Sequence, residues 1–189
     1  MRYEKRDNYI QRLTSDYIRL HHFHSKFLYK RGNRTKNVRL YTLKMLNDHY
    51  FIQQALQEAQ QAFEKNEVPI GAIIVCQQRI IARTHNLTEL LNDVTAHAEM
   101  QAITAAADVL GGKYLTDCTL YVTIEPCPMC AGALNWAQIS KIVYGARDKK
   151  RGYSLFSPSL LHPKTSVISG VLEEECAKLM RDFFEKKRK

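Results

Sequence analysis

The chain has 189 residues, 45% of them hydrophobic, which is enough for one globular domain with a buried core. It contains no run of 18 apolar residues and no apolar N-terminal segment followed by a small-residue cleavage site. We therefore expect neither a membrane-spanning helix nor a secretory signal, and we expect a cytoplasmic location. The odd number of cysteines, five, argues against a disulfide framework and for reduced thiols or metal ligands.

The net charge of +9 comes from the first 44 residues. This segment has twelve Lys and Arg against three Asp and Glu, whereas the rest of the chain has sixteen of each. A basic arm can bind nucleic acid through phosphates. The alternatives are an extension without function and a mitochondrial-type transit peptide, which three acidic residues and only two serines make a poor fit. We predict a basic N-terminal extension outside the fold, over residues 1–44, and one domain over residues 45–189.

The first half of that domain predicts a helix, a strand hairpin and a second helix. Apolar residues recur at spacings of three and four, then give way to short β-branched runs. Asn47 or Asp48 can cap the first helix, and Thr95 can cap the second, which Gly111 ends. The predicted elements are a helix at 48–65, strands at 72–76 and 80–84, and a helix at 96–110.

The second half continues the alternation of strands and helices. Pro128 stands near the first position of a helix, where its missing N–H is harmless. The predicted elements are a strand at 119–124, a helix at 129–138, a strand at 141–145, a short helical turn at 158–161, a strand at 166–168 and a helix at 173–187. Helices alternating with short buried strands predict a three-layer α/β domain.

Three residues form a candidate zinc site. Cys127 and Cys130 stand three apart at a turn that opens a helix, and His97 stands near the start of the preceding helix. A Cys2His set supplies three ligands, which leaves one tetrahedral position for water, as in catalytic rather than structural zinc sites. A helix N-terminus also favours thiolates at Cys127 and Cys130.

Glu99 is the candidate proton shuttle of this site. A spacing of two puts side chains on different faces of a regular helix. In a first turn that points end-on at the site, however, His97 can hold zinc while Glu99 stands beside the water. Alone, a CxxC pair is equally typical of a structural zinc knuckle or a redox pair. A structural site would need a fourth ligand, and the only nearby candidate is Cys118, which precedes a strand.

The HxE and PCxxC motifs together resemble the zinc-dependent nucleobase deaminases, and the longer match resembles their tRNA-specific adenosine deaminase family. Val94 departs from it, since the family commonly has Pro there. The resemblance covers residues 46–188, with its motifs at 68–72, 85–86, 96–100, 120–133, 144–148 and 170–184. It implies a three-layer α/β/α cytidine-deaminase-like fold with a central mixed sheet of about five strands and helices on both faces.

The resemblance also implies the reaction. His97, Cys127 and Cys130 would hold one Zn²⁺ per subunit, and Glu99 would shuttle protons. A zinc-activated water would attack C6 of a flipped-out adenine and convert adenosine to inosine. The implied enzyme is a hydrolase acting on a cyclic amidine. Its implied substrate is the wobble position in the anticodon loop of an arginine tRNA, and its implied assembly is a homodimer.

Candidate substrate-binding residues follow from the same resemblance and from side-chain chemistry. The Asn86 amide can both donate to and accept from a base edge. The backbone N–H groups of Ala98 and Glu99 can meet a developing oxyanion. A basic loop and one aromatic ring of the last helix are candidates for contacts with RNA; the residues concerned are Arg147, Asp148, Lys150 and Phe183. Charge alone would equally fit a solvated loop. The remaining cysteines, Cys76, Cys118 and Cys176, are expected to be buried small hydrophobes.

Two alternatives remain open. A free nucleobase or nucleoside deaminase acting on guanine or cytosine would share the zinc motifs, but the loop at 145–148 and the basic last helix favour a polynucleotide. A non-catalytic zinc-binding subunit would be expected to lack the shuttle, and Glu99 is present.

Overall fold

The computed structural model describes residues 46–156 and 158–188. The predicted N-terminal extension therefore lies outside the described residues. In the described part, no helix is long and apolar enough to cross a membrane.

A five-stranded mixed sheet forms the centre of the domain, with the strand order β2-β1-β3-β4-β5. Strand β1 is antiparallel to both β2 and β3, whereas β3, β4 and β5 are parallel. The strands are β1 Gly71–Cys76, β2 Arg79–His85, β3 Cys118–Ile124, β4 Lys141–Ala146 and β5 Ser166–Ser169. The predicted central sheet is confirmed.

Among the described residues, four helices cover the two faces of the sheet: α1 Asp48–Glu64, α2 Ala98–Leu110, α3 Pro128–Trp136 and α4 Glu173–Arg188. Successive strand residues point to opposite faces, so the same strands supply two cores. Ile73 packs in a cluster with Phe51 of α1 and Cys176 of α4. Its neighbour Ile74 packs with Ala102 of α2 and Leu134 of α3. The three-layer α/β/α architecture is therefore confirmed.

Gly71 lets α1 pack closely on the sheet. A Cβ atom at this position would lie 2.1 Å from the Ala55 carbonyl oxygen and 2.3 Å from the Ala59 backbone nitrogen. Those distances are far inside van der Waals contact, so any side chain would force α1 away from β1. The close approach fixes the chain between α1 and β1, which includes Glu67.

Two local predictions are wrong. Helix α2 begins at Ala98, with His97 rather than Thr95 as its N-cap. The Thr95 backbone N–H and hydroxyl instead donate to the Asp93 carboxylate at 2.8 and 2.7 Å, which uses Thr95 in the preceding turn. No helical turn forms at 158–161; a short 3₁₀ helix lies at Tyr153–Leu155, where backbone N–H groups bond to Pro126 and Glu125.

Candidate metal centre and active site

The N-termini of α2 and α3 converge on one point. His97 is the N-cap of α2 and Cys127 is the N-cap of α3, while Cys130 lies in the first turn of α3. Neither N-cap side chain bonds to the backbone of its helix. His97 and Cys127 both have extended backbone conformations, and their side chains turn toward each other. The two helix ends thus bring His97 together with two cysteines that lie 30 or more residues further along the chain.

The three side chains have the spacing of a tetrahedral metal site. The His97 Nδ1 atom lies 3.6 Å from the Cys127 sulfur and 3.5 Å from the Cys130 sulfur. With Zn–N near 2.0–2.1 Å and Zn–S near 2.3 Å, neighbouring tetrahedral ligand atoms lie about 3.6 Å apart. In the described part of the chain, the group contains only these three residues. They fit a zinc ion with one coordination position left for another ligand.

Cys118 is not part of this group. It is the first residue of β3 and faces Cys76 directly across the antiparallel pair of β1 and β3. Cys118 and Cys176 are almost fully buried, and burial raises the pKa of both thiols to about 12. They behave as small core residues, as the sequence predicted, whereas Cys76 is only partly buried.

The two ligand thiols differ in how readily they lose a proton, since the pKa of Cys127 is lowered and that of Cys130 is raised. The Cys130 thiol donates a hydrogen bond to the Cys127 sulfur and His97 lies beside it, and together they lower the pKa of Cys127 to about 4. The same bond and burial raise the pKa of Cys130, while the bond to Cys127 raises the pKa of His97. A divalent cation bound by Cys127, Cys130 and His97 would displace the protons that hold these side chains together here.

Glu99 lies beside the ligands with an unused oxygen. Its side chain is buried, and its Oε2 atom has no hydrogen-bond partner among the described residues. Burial raises the pKa of Glu99 to about 7. A buried carboxylate oxygen without a partner requires water or a ligand, and a pKa near neutrality suits a group that must both take and give a proton.

Asn86 is held close to the start of α2. It follows β2 directly and is buried. The next backbone N–H, of Leu87, donates to the Ala96 carbonyl at 3.1 Å, and Gln101 bridges the His85 and Ala96 carbonyls. Ala98 is also buried, and its carbonyl accepts from the Thr84 hydroxyl at 2.8 Å. The end of β2 is thereby joined to the segment that carries His97 and Glu99.

Glu125 anchors the basic loop that follows β4. Its buried carboxylate accepts from the backbone N–H groups of Asp148 at 3.2 Å and Ser154 at 3.0 Å. A Cβ atom at Gly152 would lie 2.4 Å from the Glu125 carboxyl carbon, so glycine is required there. Since Glu125 precedes Pro126 and Cys127 in the chain, the loop at 147–154 is fixed beside the metal ligands.

The side chains of this loop divide into two roles. Arg147, Lys149, Lys150 and Arg151 are exposed, so their charges are available to a partner. The Asp148 carboxylate instead accepts from the backbone N–H groups of Lys150 at 2.9 Å and Arg151 at 3.0 Å. Asp148, expected to bind substrate, therefore shapes the loop that presents these charges.

Phe183 does not have the exposure that a base-stacking residue needs. Its ring is buried, with its centroid 5.8 Å from that of Phe63 and 5.3 Å from that of Phe184. It packs α4 against α1. Phe184 is 45% exposed and is the more accessible ring of this pair.

Sequence reasoning missed two buried carboxylates, Glu125 and Glu67, of which Glu67 accepts a hydrogen bond from the Asn86 amide nitrogen at 3.0 Å. Each stands one or two residues before a proline, which is only a weak signal for a buried carboxylate.

Comparison with known proteins gives the family. Residues 46–188 match the family of MafB19-like deaminases. The chain is 46% identical to the tRNA-specific adenosine deaminase of Agrobacterium fabrum over 144 residues, which are 74% of this chain and 95% of that protein.

Two solved structures are also similar. One comes from biochemical and structural studies of A-to-I editing by tRNA:A34 deaminases at the wobble position of transfer RNA; it is 45% identical with a TM-score of 0.65, over 69% of this chain and 98% of that one. The other is the guanine deaminase of Bacillus subtilis, 42% identical with a TM-score of 0.52, over 53% of this chain and 65% of that one. The chain is a MafB19-like deaminase and belongs to the family of tRNA-specific adenosine deaminases.

Proposed function

We propose that this enzyme converts adenosine to inosine at the wobble position in the anticodon loop of an arginine tRNA, using one zinc ion per subunit. The observation that carries the proposal is the convergence of three metal-ligand atoms, with His97 Nδ1 3.5–3.6 Å from the two sulfurs. Beside them lies buried Glu99, whose Oε2 has no hydrogen-bond partner among the described residues. The family supports tRNA as the substrate, because the relative from Agrobacterium fabrum matches over 95% of its own length.

His97, Cys127 and Cys130 are the residues that would hold the zinc. When bound there, zinc lowers the pKa of a water molecule and makes it a nucleophile near neutral pH. The two helix N-termini contribute partial positive charge at the same point, which stabilises the cysteine thiolates. The N-termini of α2 and α3 therefore stabilise charged metal ligands next to the apolar core.

Glu99 carries the protons of the reaction. Hydrolysis joins adenosine and water and releases inosine and ammonia. Glu99 takes a proton from the attacking water at Oε2 and gives it to N1 of the adenine ring. It then takes the proton of the new hydroxyl group at C6 and gives it to the departing amine, which leaves as ammonia. Its burial and the absence of a partner for Oε2 among the described residues leave the carboxylate able to make both transfers.

The basic loop is proposed to hold the phosphates that flank the target base. We expect the triple change Lys149→Ala, Lys150→Ala and Arg151→Ala to weaken binding of an anticodon stem-loop, because all three side chains are exposed beside the metal ligands. The slope of log affinity against log salt should become shallower by about 0.7 for each phosphate that the loop no longer neutralises.

Lys113→Ala is the control for this prediction, since Lys113 is an exposed lysine just beyond the far end of α2. A triple variant whose affinity and salt slope equal those of the wild type would exclude the loop from the RNA-binding surface.

A transcript of an arginine tRNA with adenosine at the wobble position tests the proposed reaction. We expect the zinc-loaded enzyme to form inosine, which mass spectrometry of the digested nucleosides would detect. A transcript with guanosine at that position is the control and should yield no inosine. No inosine from the adenosine transcript, or inosine at another position, would contradict the proposed substrate.

We also propose that the enzyme is a homodimer acting in the cytoplasm, where a tRNA substrate would be met. Large apolar side chains are unusually exposed on α3 and on the loop before α2, as expected of a surface that a second subunit covers; they are Trp136 at 84%, Val94 at 84%, Leu90 at 68% and Leu91 at 54%. Light scattering should give a mass of about twice 21.9 kDa.

A further inference from the structure

Glu67 is a fully buried carboxylate between α1 and β1. Helix α1 ends where Asn66 adopts a left-handed conformation, with φ of 62°, and the Glu67 backbone N–H donates to the Ala62 carbonyl at 2.9 Å. This hydrogen bond closes the helix end and turns the chain back toward the sheet. Because Gly71 allows β1 to pack closely against α1, the backbone from which the Glu67 side chain extends is held in place.

Among the described residues, the Glu67 carboxylate accepts hydrogen bonds from one short segment, residues 86–90. Its Oε2 atom accepts from the Asn86 amide nitrogen at 3.0 Å, the Thr88 hydroxyl at 3.4 Å and the Glu89 backbone N–H at 3.2 Å. Its Oε1 atom accepts from the Leu90 backbone N–H at 2.7 Å. Within this segment, the Leu87 backbone N–H also donates to the carbonyl of Ala96, the residue just before His97.

These contacts determine how the Asn86 amide is oriented. An amide nitrogen has two hydrogens, and here one is directed to Glu67 and the other to the Thr88 hydroxyl at 2.9 Å. Rotating the amide by half a turn would place its carbonyl oxygen against the Glu67 carboxylate, oxygen against oxygen. Glu67 therefore excludes the reversed orientation, which would otherwise have nearly the same shape.

We propose that Glu67 is a positioning residue for the reaction: it fixes the orientation of the Asn86 amide, whose two hydrogens are donated to Glu67 and Thr88, and so leaves the carbonyl oxygen as the group that Asn86 offers to the base. This inference rests on the proposed function, with Asn86 as the residue that binds the base, the role that the family resemblance implies. Among the described residues, Glu67 makes no hydrogen bond to the metal ligands or to Glu99. Its effect on the reaction would therefore pass through Asn86.

A double-mutant cycle tests whether Glu67 acts through Asn86. The variants are Glu67→Gln, Asn86→Ala and the two combined, and the measurement is the single-turnover rate constant on the anticodon stem-loop, with its Kd. We expect each single change to lower the rate constant on the order of 10- to 100-fold, as misplacement of a substrate-orienting group does. The Kd should change little because phosphate contacts dominate it. The combined variant should be no slower than Asn86→Ala within about threefold.

Glu58→Gln is the matched control, because Glu58 is also a buried glutamate of the α1 side but pairs with Arg83 and His85 rather than with residues 86–90. It should keep the wild-type rate. Losses that multiply in the combined variant would overturn the proposal, because Glu67 would then act independently of Asn86. If Glu67→Gln fails to bind zinc or to unfold cooperatively, Glu67→Asp replaces it, and partial recovery of the rate is expected since the carboxylate is kept.

A second readout is independent of the substrate. NMR of the Asn86 side-chain amide should show two protons protected from exchange in the wild type, and a changed shift and faster exchange in Glu67→Gln. An unchanged amide signal would overturn the proposal. If the wild type fails to deaminate the stem-loop, the proposed function is wrong, but this signal still decides whether Glu67 orients Asn86.

Discussion

Glu99→Gln is expected to lower the single-turnover rate of adenosine deamination by about 10²- to 10⁴-fold. Glutamine has nearly the same shape and fills the same buried site, but it cannot accept the proton of the attacking water. The substitution removes the basic carboxylate oxygen Oε2, which is buried and without a partner among the described residues. The rate constant on an anticodon stem-loop and the zinc content of the variant are the measurements.

The zinc content should stay at the wild-type level, because the ligand atoms belong to His97, Cys127 and Cys130. Glu64→Gln is the control, an exposed glutamate of α1 whose side chain accepts a hydrogen bond from Gln60 on the same helix. A Glu99→Gln enzyme with full zinc and a rate within about threefold of the wild type would contradict a proton shuttle at this position, since general acid–base catalysis contributes far more.

Cys130→Ala should remove both the metal and the activity. Cys130 is fully buried in the first turn of α3, and its sulfur lies 3.5 Å from His97 Nδ1. Only two ligands would remain, too few for a stable zinc site. We expect zinc below about a tenth of an equivalent, no detectable inosine, and a lower melting temperature because the metal no longer joins α2 to α3.

Cys118→Ala is the matched control for a buried thiol, since Cys118 is 1% exposed but lies outside the ligand group. It should lose some stability through the cavity it leaves, by about 1–2 kcal/mol, while zinc and activity remain. Retention of a full equivalent of zinc by Cys130→Ala would show that the metal site is elsewhere.

The strands and helices can be predicted closely where local chemistry decides them. The sequence predicts the first helix at 48–65, and it lies at Asp48–Glu64, with the Asn47 side chain accepting from the Tyr50 backbone N–H. The start of α2 cannot be predicted from capping preferences. Thr95 is a good capping residue, but the helix begins after His97, whose ring turns toward Cys127 and Cys130 rather than to its own backbone. Tertiary contacts override the local preference there.

The candidate site divides in the same way. The structure brings His97, Cys127 and Cys130 together, and these residues stand with Glu99 in short motifs that the sequence can single out. Glu67 and Glu125 belong to no such motif, because each forms hydrogen bonds to a segment 19 to 29 residues away. Their contacts depend on which donor groups they meet after folding, and no local pattern encodes that. The burial of Phe183, expected to contact RNA, likewise depends on the packing of α4 against Phe63 of α1.

The ratio of kcat/KM for an anticodon stem-loop to kcat/KM for free guanine, measured on one zinc-loaded preparation, tests the central claim most directly. The exposed basic loop fixed beside the metal ligands and the matched family both favour RNA. We predict that the stem-loop with wobble adenosine is favoured by at least about 10³-fold, because only it can use the phosphate contacts. Turnover of guanine with an unreacted stem-loop would mean that this metal site serves a free base, and would contradict the proposed substrate.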